Sequence, residues 1–191
     1  MTFKENVKNN PLVISLSKIR SSELFWVITF TVLTFLAAQV EIPTQPVPFT
    51  LQTMLVLLAG AFLGSRNGAY SQIVYLALGV IGIPVYAGFS FGLAKIFGPT
   101  GGYLLSFPFA AYLVGYIVEK KSGTLALILS FVLGQLLILF VGAAFLAVFM
   151  NGDFSKAMFS GVVIFSVWDI IKISAAVSIY KAVSKKYPKL P

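Results

Sequence analysis

Six apolar runs stand out along the chain, over residues 24–40, 51–64, 69–86, 102–118, 124–149 and 157–181, with polar connections between them. A helix needs about 20 apolar residues to cross a hydrocarbon core about 30 Å thick, so 191 residues with short connections hold roughly six crossings. The second run, LQTMLVLLAGAFLG, is short for a full crossing. It is expected to begin inside the preceding loop or to be sheltered by its neighbours. The pattern predicts an all-α integral membrane protein, a six-transmembrane-helix bundle with no room for a second soluble domain.

The connections predict its orientation. Eleven of the fourteen Lys and Arg residues fall on one side: Lys4, Lys8, Lys18 and Arg20 before the first run, Arg66, Lys120 and Lys121 in two turns, and Lys181, Lys185, Lys186 and Lys189 in the tail. Lys95 and Lys156 are on the other side, and Lys172 lies inside the last run. Cytoplasmic connections are the ones enriched in Lys and Arg. Both the N-terminus and the C-terminus are therefore expected to be cytoplasmic. Residues 1–23 read as a cytoplasmic N-terminal segment, 24–181 as the membrane domain and 182–191 as a basic cytoplasmic tail. No small-residue cleavage site follows the polar start, so the first run reads as a retained helix. The outward connections are then 40–50, 87–103 and 151–156. The first two are long and rich in Pro and Gly, as binding loops often are.

Composition agrees and removes alternatives. The chain is 58% hydrophobic and 10% charged, against about 25% charged in soluble domains. Without Cys or His it lacks the commonest zinc ligands and the usual general base, which argues against an enzyme. Its net charge of +8 is spread over membrane flanks, where it faces anionic lipid rather than nucleic acid.

Candidate chemistry is sparse. Asp169 and Lys172, in SVWDIIK, are three residues apart and share a helix face. Taken as one helix from about Asn151 to Lys181, the last run places them near its middle. An ionisable group there costs at least about 2.5 to 3.5 kcal/mol unless paired or wetted. The pair either lines a solute site or merely pins one helix to its neighbours. Gln72 and Gln135 are expected to join helices by hydrogen bonds. The loop GPTGGY, 98–103, lacks the Lys-Ser/Thr ending of a phosphate loop, and no nucleotide motif appears elsewhere. Its glycines permit close approach, and the N–H groups of Gly101, Gly102 and Tyr103 would be free to face a ligand. A plain helix entry is the alternative.

Four blocks, PVPFTLQTMLVLLAGAFLG, YLALGVIGIPVYAGFSFG, GPTGGYLLSF and DIIK, carry a resemblance that runs from Ala37 to Ala176. In wording, order and spacing they resemble the BioY family, the biotin-binding S components of energy-coupling-factor vitamin transporters. The resemblance implies a six-helix subunit whose outer loops cap biotin. It also implies a membrane scaffold (T) subunit and two ATP-binding-cassette ATPases as partners, with no cofactor. Carried over by position, the family's site falls on Asp169 and Lys172, on Ser90, on Phe49, Thr50 and Gln52, and on Gly98, Thr100, Gly101, Gly102 and Tyr103. Tyr86 and Gly88 flank the same connection. Asp169 is expected to accept from a ureido N–H or a bridging group, and Lys172 to donate to the carboxylate or the ureido oxygen. Tyr86 and Phe49 are expected to bury the rings.

Three features depart from the family pattern. Trp168 precedes Asp169, Phe89 and Phe91 stand where glycines are commoner, and the partner-docking pattern of the first helix is represented only by Thr34 and Ala38. A solitary biotin transporter, an intramembrane enzyme using Asp169 and a membrane scaffold are the competing readings.

Overall fold

The computed structural model describes residues 22–163 and 165–185. Most of the expected segment 1–23 and the end of the basic tail lie outside the described residues. The elements in chain order are α1 Glu23–Gln39, β1 Glu41–Ile42, β2 Phe49–Thr50, α2 Gln52–Val80, α3 Leu93–Ile96, α4 Gly101–Lys120, α5 Thr124–Val148, α6 Phe154–Met158 and α7 Ser166–Ser184. A 3-10 turn, Ala87–Phe89, precedes α3, and a π-helical turn, Phe159–Val163, follows α6.

Among the described residues two helices, α4 and α5, are long and apolar enough to cross a membrane, and the bent pair Phe154–Val163 and Val167–Ser184 makes a third if taken as one span. Between and around them, large apolar side chains such as Leu24, Ile28, Phe109, Leu129, Leu133 and Ile170 are exposed. Water would not tolerate so large an apolar surface, whereas lipid does. The chain is a membrane protein.

Three of the six expected runs take a different form. Runs two and three are joined by a single residue instead of a five-residue turn. Gly64, at φ 79° and ψ −177°, breaks α2 into legs 52–63 and 65–80. A positive φ with extended ψ suits Gly alone. The new leg then starts at Ser65, whose N–H and hydroxyl donate to the Glu119 carboxylate at 2.7 and 3.0 Å. A side chain from α4 thus satisfies one of the orphan N–H groups of a helix start. The last run is likewise not one helix. It bends by 42° between the π-helical turn and α7, which puts Asp169 in the first turn of α7 rather than at mid-helix.

Small residues let the helices approach closely. A Cβ on Gly60 would collide with the Ala111 carbonyl, and one on Gly115 with the Ser65 N–H. α1 is tied to the second leg of α2 by Thr31, whose hydroxyl donates to the Ser71 carbonyl at 2.8 Å, and by Gln72, whose Nε2 donates to Thr34 Oγ1 at 3.3 Å. Thr34 and Ala38 are both completely buried inside the chain's own packing, because their side of α1 carries the contact with α2.

Candidate functional site

At one end of the bundle the chain segments 41–53 and 86–100 close over a cavity of about 660 Å³. That lies within the range of about 300–1,000 Å³ typical of small-molecule sites. The first segment is held by the antiparallel pairs Glu41–Thr50 and Ile42–Phe49. The second is fastened to α1 through Gln39. Its Oε1 accepts from the Phe89 N–H at 3.0 Å, and its Nε2 donates to the Tyr86 carbonyl at 3.1 Å.

Nine of the thirteen expected ligand residues line this cavity: Thr50, Gln52, Tyr86, Gly88, Ser90, Gly98, Thr100, Tyr103 and Lys172. They come from six separate elements or connections, so only the fold brings them together. Most of their polar atoms are already committed. Gln52 accepts from the Thr50 hydroxyl at 3.0 Å and donates to the Tyr75 hydroxyl at 2.6 Å, and Tyr75 in turn donates to the Val85 carbonyl at 3.0 Å. The phenols of Tyr86 and Tyr103 donate to the carbonyls of Leu76 at 2.8 Å and Gly161 at 3.0 Å. With their hydroxyls satisfied, these rings act as apolar walls.

Four expected residues stand outside the lining. Phe49 lies behind it, its ring 4.2 Å from that of Phe165, which does line the cavity. Gly101 and Gly102 belong to packing instead. A Cβ on Gly101 would collide with the Ile96 carbonyl of α3 and one on Gly102 with the Phe145 Cβ of α5, and the Gly101 N–H already donates to the Gly98 carbonyl at 2.9 Å. The free N–H groups expected at this helix entry are thus partly taken. Asp169 is the fourth. It lies behind Lys172, 4% exposed, with Oδ1 2.7 Å from the lysine Nζ and Oδ2 without a hydrogen-bond partner.

Lys172 faces the cavity. Besides Asp169, its ammonium donates to Thr53 Oγ1 at 2.8 Å and, more loosely, to the Thr50 carbonyl at 3.5 Å. A buried ammonium survives only when paired and hydrogen-bonded, and here both conditions are met. The start of α7 helps, since the positive end of a helix dipole favours the Asp169 carboxylate.

Sequence reasoning left out Thr53, Gln135, Glu41 and Lys95, all of which line the cavity. Thr53 directly follows Gln52 within the recognised block, and Lys95 lies in the long second connection, so both could have been found. Gln135 could not, because a Gln in an apolar helix reads equally well as an interhelical tie. Among the described residues no group of three or more potential metal ligands occurs.

The BioY family model matches residues 8–189. The chain belongs to the BioY family. Among curated relatives, the probable biotin transporter BioY of Pyrococcus horikoshii is 42% identical over 160 residues, 84% of this chain and 94% of that protein. The biotin transporter BioY of Thermotoga maritima is 38% identical over 147 residues, covering 77% and 86%. A solved structure, the crystal structure at 2.1 Å of the S-component for biotin from an ECF-type ABC transporter, superposes with a TM-score of 0.79. It is 28% identical and covers 97% of this chain and 95% of that one. Each of the four blocks that resemble BioY contributes residues to the cavity wall.

Proposed function

We propose that this chain is the substrate-capturing S subunit of an energy-coupling-factor transporter and takes up biotin, not an enzyme. The observation that carries the reading is the loop-covered cavity with apolar walls and one buried, paired ammonium, Lys172, in a chain of this family. Biotin matches that chemistry. Its fused rings are mostly apolar, its ureido group is polar but uncharged, and its tail ends in a carboxylate.

In this reading Asp169 positions Lys172, and Lys172 donates to the ureido oxygen in place of its loose contact with Thr50. A neutralised ion pair suits an uncharged ureido group, whereas the exposed Lys95 near the cavity mouth is the cation for the tail carboxylate. Tyr86, Tyr103 and Phe165 bury the rings, with Phe49 supporting Phe165.

Six crossings in a cell membrane with cytoplasmic termini would put the cavity outside. Supporting this orientation, Lys121 and Lys181 lie together at the opposite end of the bundle, around a second hollow. The sequence carries no phosphate-loop motif. Uptake therefore draws its energy from partners, a membrane scaffold subunit and two ATP-binding-cassette ATPases.

Purification of the protein in detergent from cells grown in rich medium, followed by mass spectrometry of extracted small molecules and calorimetric titration, tests the substrate. Biotin is expected both as the co-purified molecule and as a tight ligand. A different molecule, with no heat on adding biotin, would sink the assignment.

A further inference from the structure

Among the described residues, three buried side chains carry polar atoms without a hydrogen-bond partner: Gln72 at Oε1, Asp169 at Oδ2 and Gln135 at Nε2. Gln72 is a helix tie. Its own nitrogen donates to Thr34 and Ser71 at 3.3 and 3.1 Å, and it does not line the cavity. Asp169 is paired to Lys172 through its other oxygen. Gln135 differs from both. It is 4% exposed and lines the cavity from the interior of α5, beside Ile138 and Leu139.

A buried amide without partners costs free energy that a hydrogen-bonded one does not. A carboxamide nitrogen carries two donors and no acceptor, so what it needs is an acceptor atom. The other buried side-chain nitrogen donors of the wall, Gln52 and Lys172, are already engaged, with only the long Lys172 contact to Thr50 loose enough to yield. Gln52 spends its nitrogen on Tyr75, and Lys172 faces an acceptor for each of its three N–H bonds.

We infer that Gln135 is a ligand-binding residue whose terminal amide donates a hydrogen bond to an uncharged acceptor oxygen of the bound molecule. The inference rests on the biotin reading above, in which that oxygen is the ureido carbonyl. An uncharged donor among Leu104, Phe107, Ile138 and Leu139 suits an uncharged acceptor, because a carboxylate desolvated there would cost far more than one amide returns. The expectation from sequence, that Gln135 ties α5 to another helix, gives way to a role at the ligand.

Calorimetric titration of wild type, Gln135→Leu, Gln135→Glu and Gln72→Leu with biotin, each with a thermal melt of the empty protein, tests the inference. Gln135→Leu is expected to weaken binding about tenfold, equal to about 1.4 kcal/mol, while the empty protein melts no lower than wild type. Gln135→Glu should lose affinity relative to wild type progressively from pH 5.5 to 8.5, because the introduced acid donates only while protonated. Gln72→Leu should lower the melting temperature and leave affinity within about twofold. Wild-type affinity in Gln135→Leu, or a pH-independent ratio for Gln135→Glu, overturns the inference alone. A wild-type protein that does not bind biotin overturns the biotin reading and this inference together.

Discussion

The two ends of the bundle treat polar groups in opposite ways. At the Gly64 end, the Glu119 carboxylate accepts from both the N–H and the hydroxyl of Ser65, and Glu23 accepts from Asn67 at 3.1 Å. Around them glycines bring backbones together, and the polar groups serve the join itself. At the cavity end, Gln135 and one oxygen of Asp169 remain unpartnered, and Lys172 makes one of its three contacts at 3.5 Å. A polar group committed to its neighbours stabilises the fold. One left uncommitted in a cavity costs stability and implies a ligand that takes up the hydrogen bond.

Breaking the cavity end should have the largest effect. Lys172→Met removes the buried ammonium and leaves the Asp169 carboxylate uncompensated. Removing one partner of a buried pair costs about 3 to 5 kcal/mol. Biotin affinity should fall at least about 100-fold, a loss of about 2.8 kcal/mol, and the melting temperature should drop with it. Adding Asp169→Asn to Lys172→Met should recover much of the melting temperature but none of the affinity, as read by calorimetry and detergent-compatible thermal melts. If the double variant binds biotin like wild type, the pair only holds α7 in place.

The opposite end should answer in stability alone. Glu119→Gln keeps the shape but weakens acceptance from the Ser65 N–H. Hydrogen bonds to charged groups contribute about 1.5 to 3 kcal/mol, and because Glu119 is exposed the lower end applies, about 1.5 kcal/mol. The melting temperature should fall by a few degrees while biotin affinity stays within about twofold. A large loss of affinity would show that the two ends are coupled through α4, and the contrast between them would fail.

Much of this contrast was legible in the sequence, and its limits have physical causes. Apolar runs mark helices because lipid admits no unsatisfied backbone, so their positions read directly from composition. Tyr86, Ser90, Thr100 and Lys172 were legible because recognised blocks carry them into one cavity. The breaks were harder. Gly64 looks like any packing glycine until its φ is known, and the bend before α7 leaves no proline or glycine pair to mark it in VVIFSVWD. Nor does spacing alone show which side of Lys172 faces the ligand. Asp169 and Lys172 share a helix face, yet only the lysine reaches the cavity. The same limit hid the difference between Gln72 and Gln135. Both are glutamines in apolar helices, and only the position of the cavity separates a tie from a binding group.

The smallest effect is expected at α6, in the connection between the two long final runs. Asp153 caps that short helix, its Oδ1 accepting from the Lys156 N–H at 3.0 Å and its Oδ2 lying 3.0 Å from the Lys156 ammonium. These bonds to the Lys156 backbone, with smaller help from its side chain, hold the carboxyl below its ordinary value. A depressed acid contributes its stability above the unfolded-state pKa and loses it as pH falls through the folded-state value. Asp153 therefore contributes fully at neutral pH and fades only below the ordinary carboxylate range. Asp153 is partly open to solvent, and its partner Lys156 is largely exposed, which keeps the contribution small. Asp153→Asn, which retains some capping ability, should shift the melting temperature at pH 7 by no more than about a degree and slightly flatten its decline below pH 4. Biotin affinity at pH 7 should not change, because Asp153 is absent from the cavity wall. A strong affinity loss would mean that α6 and the π-helical turn behind it set the position of Phe165, and the boundary between capping residue and binding site would have to be redrawn.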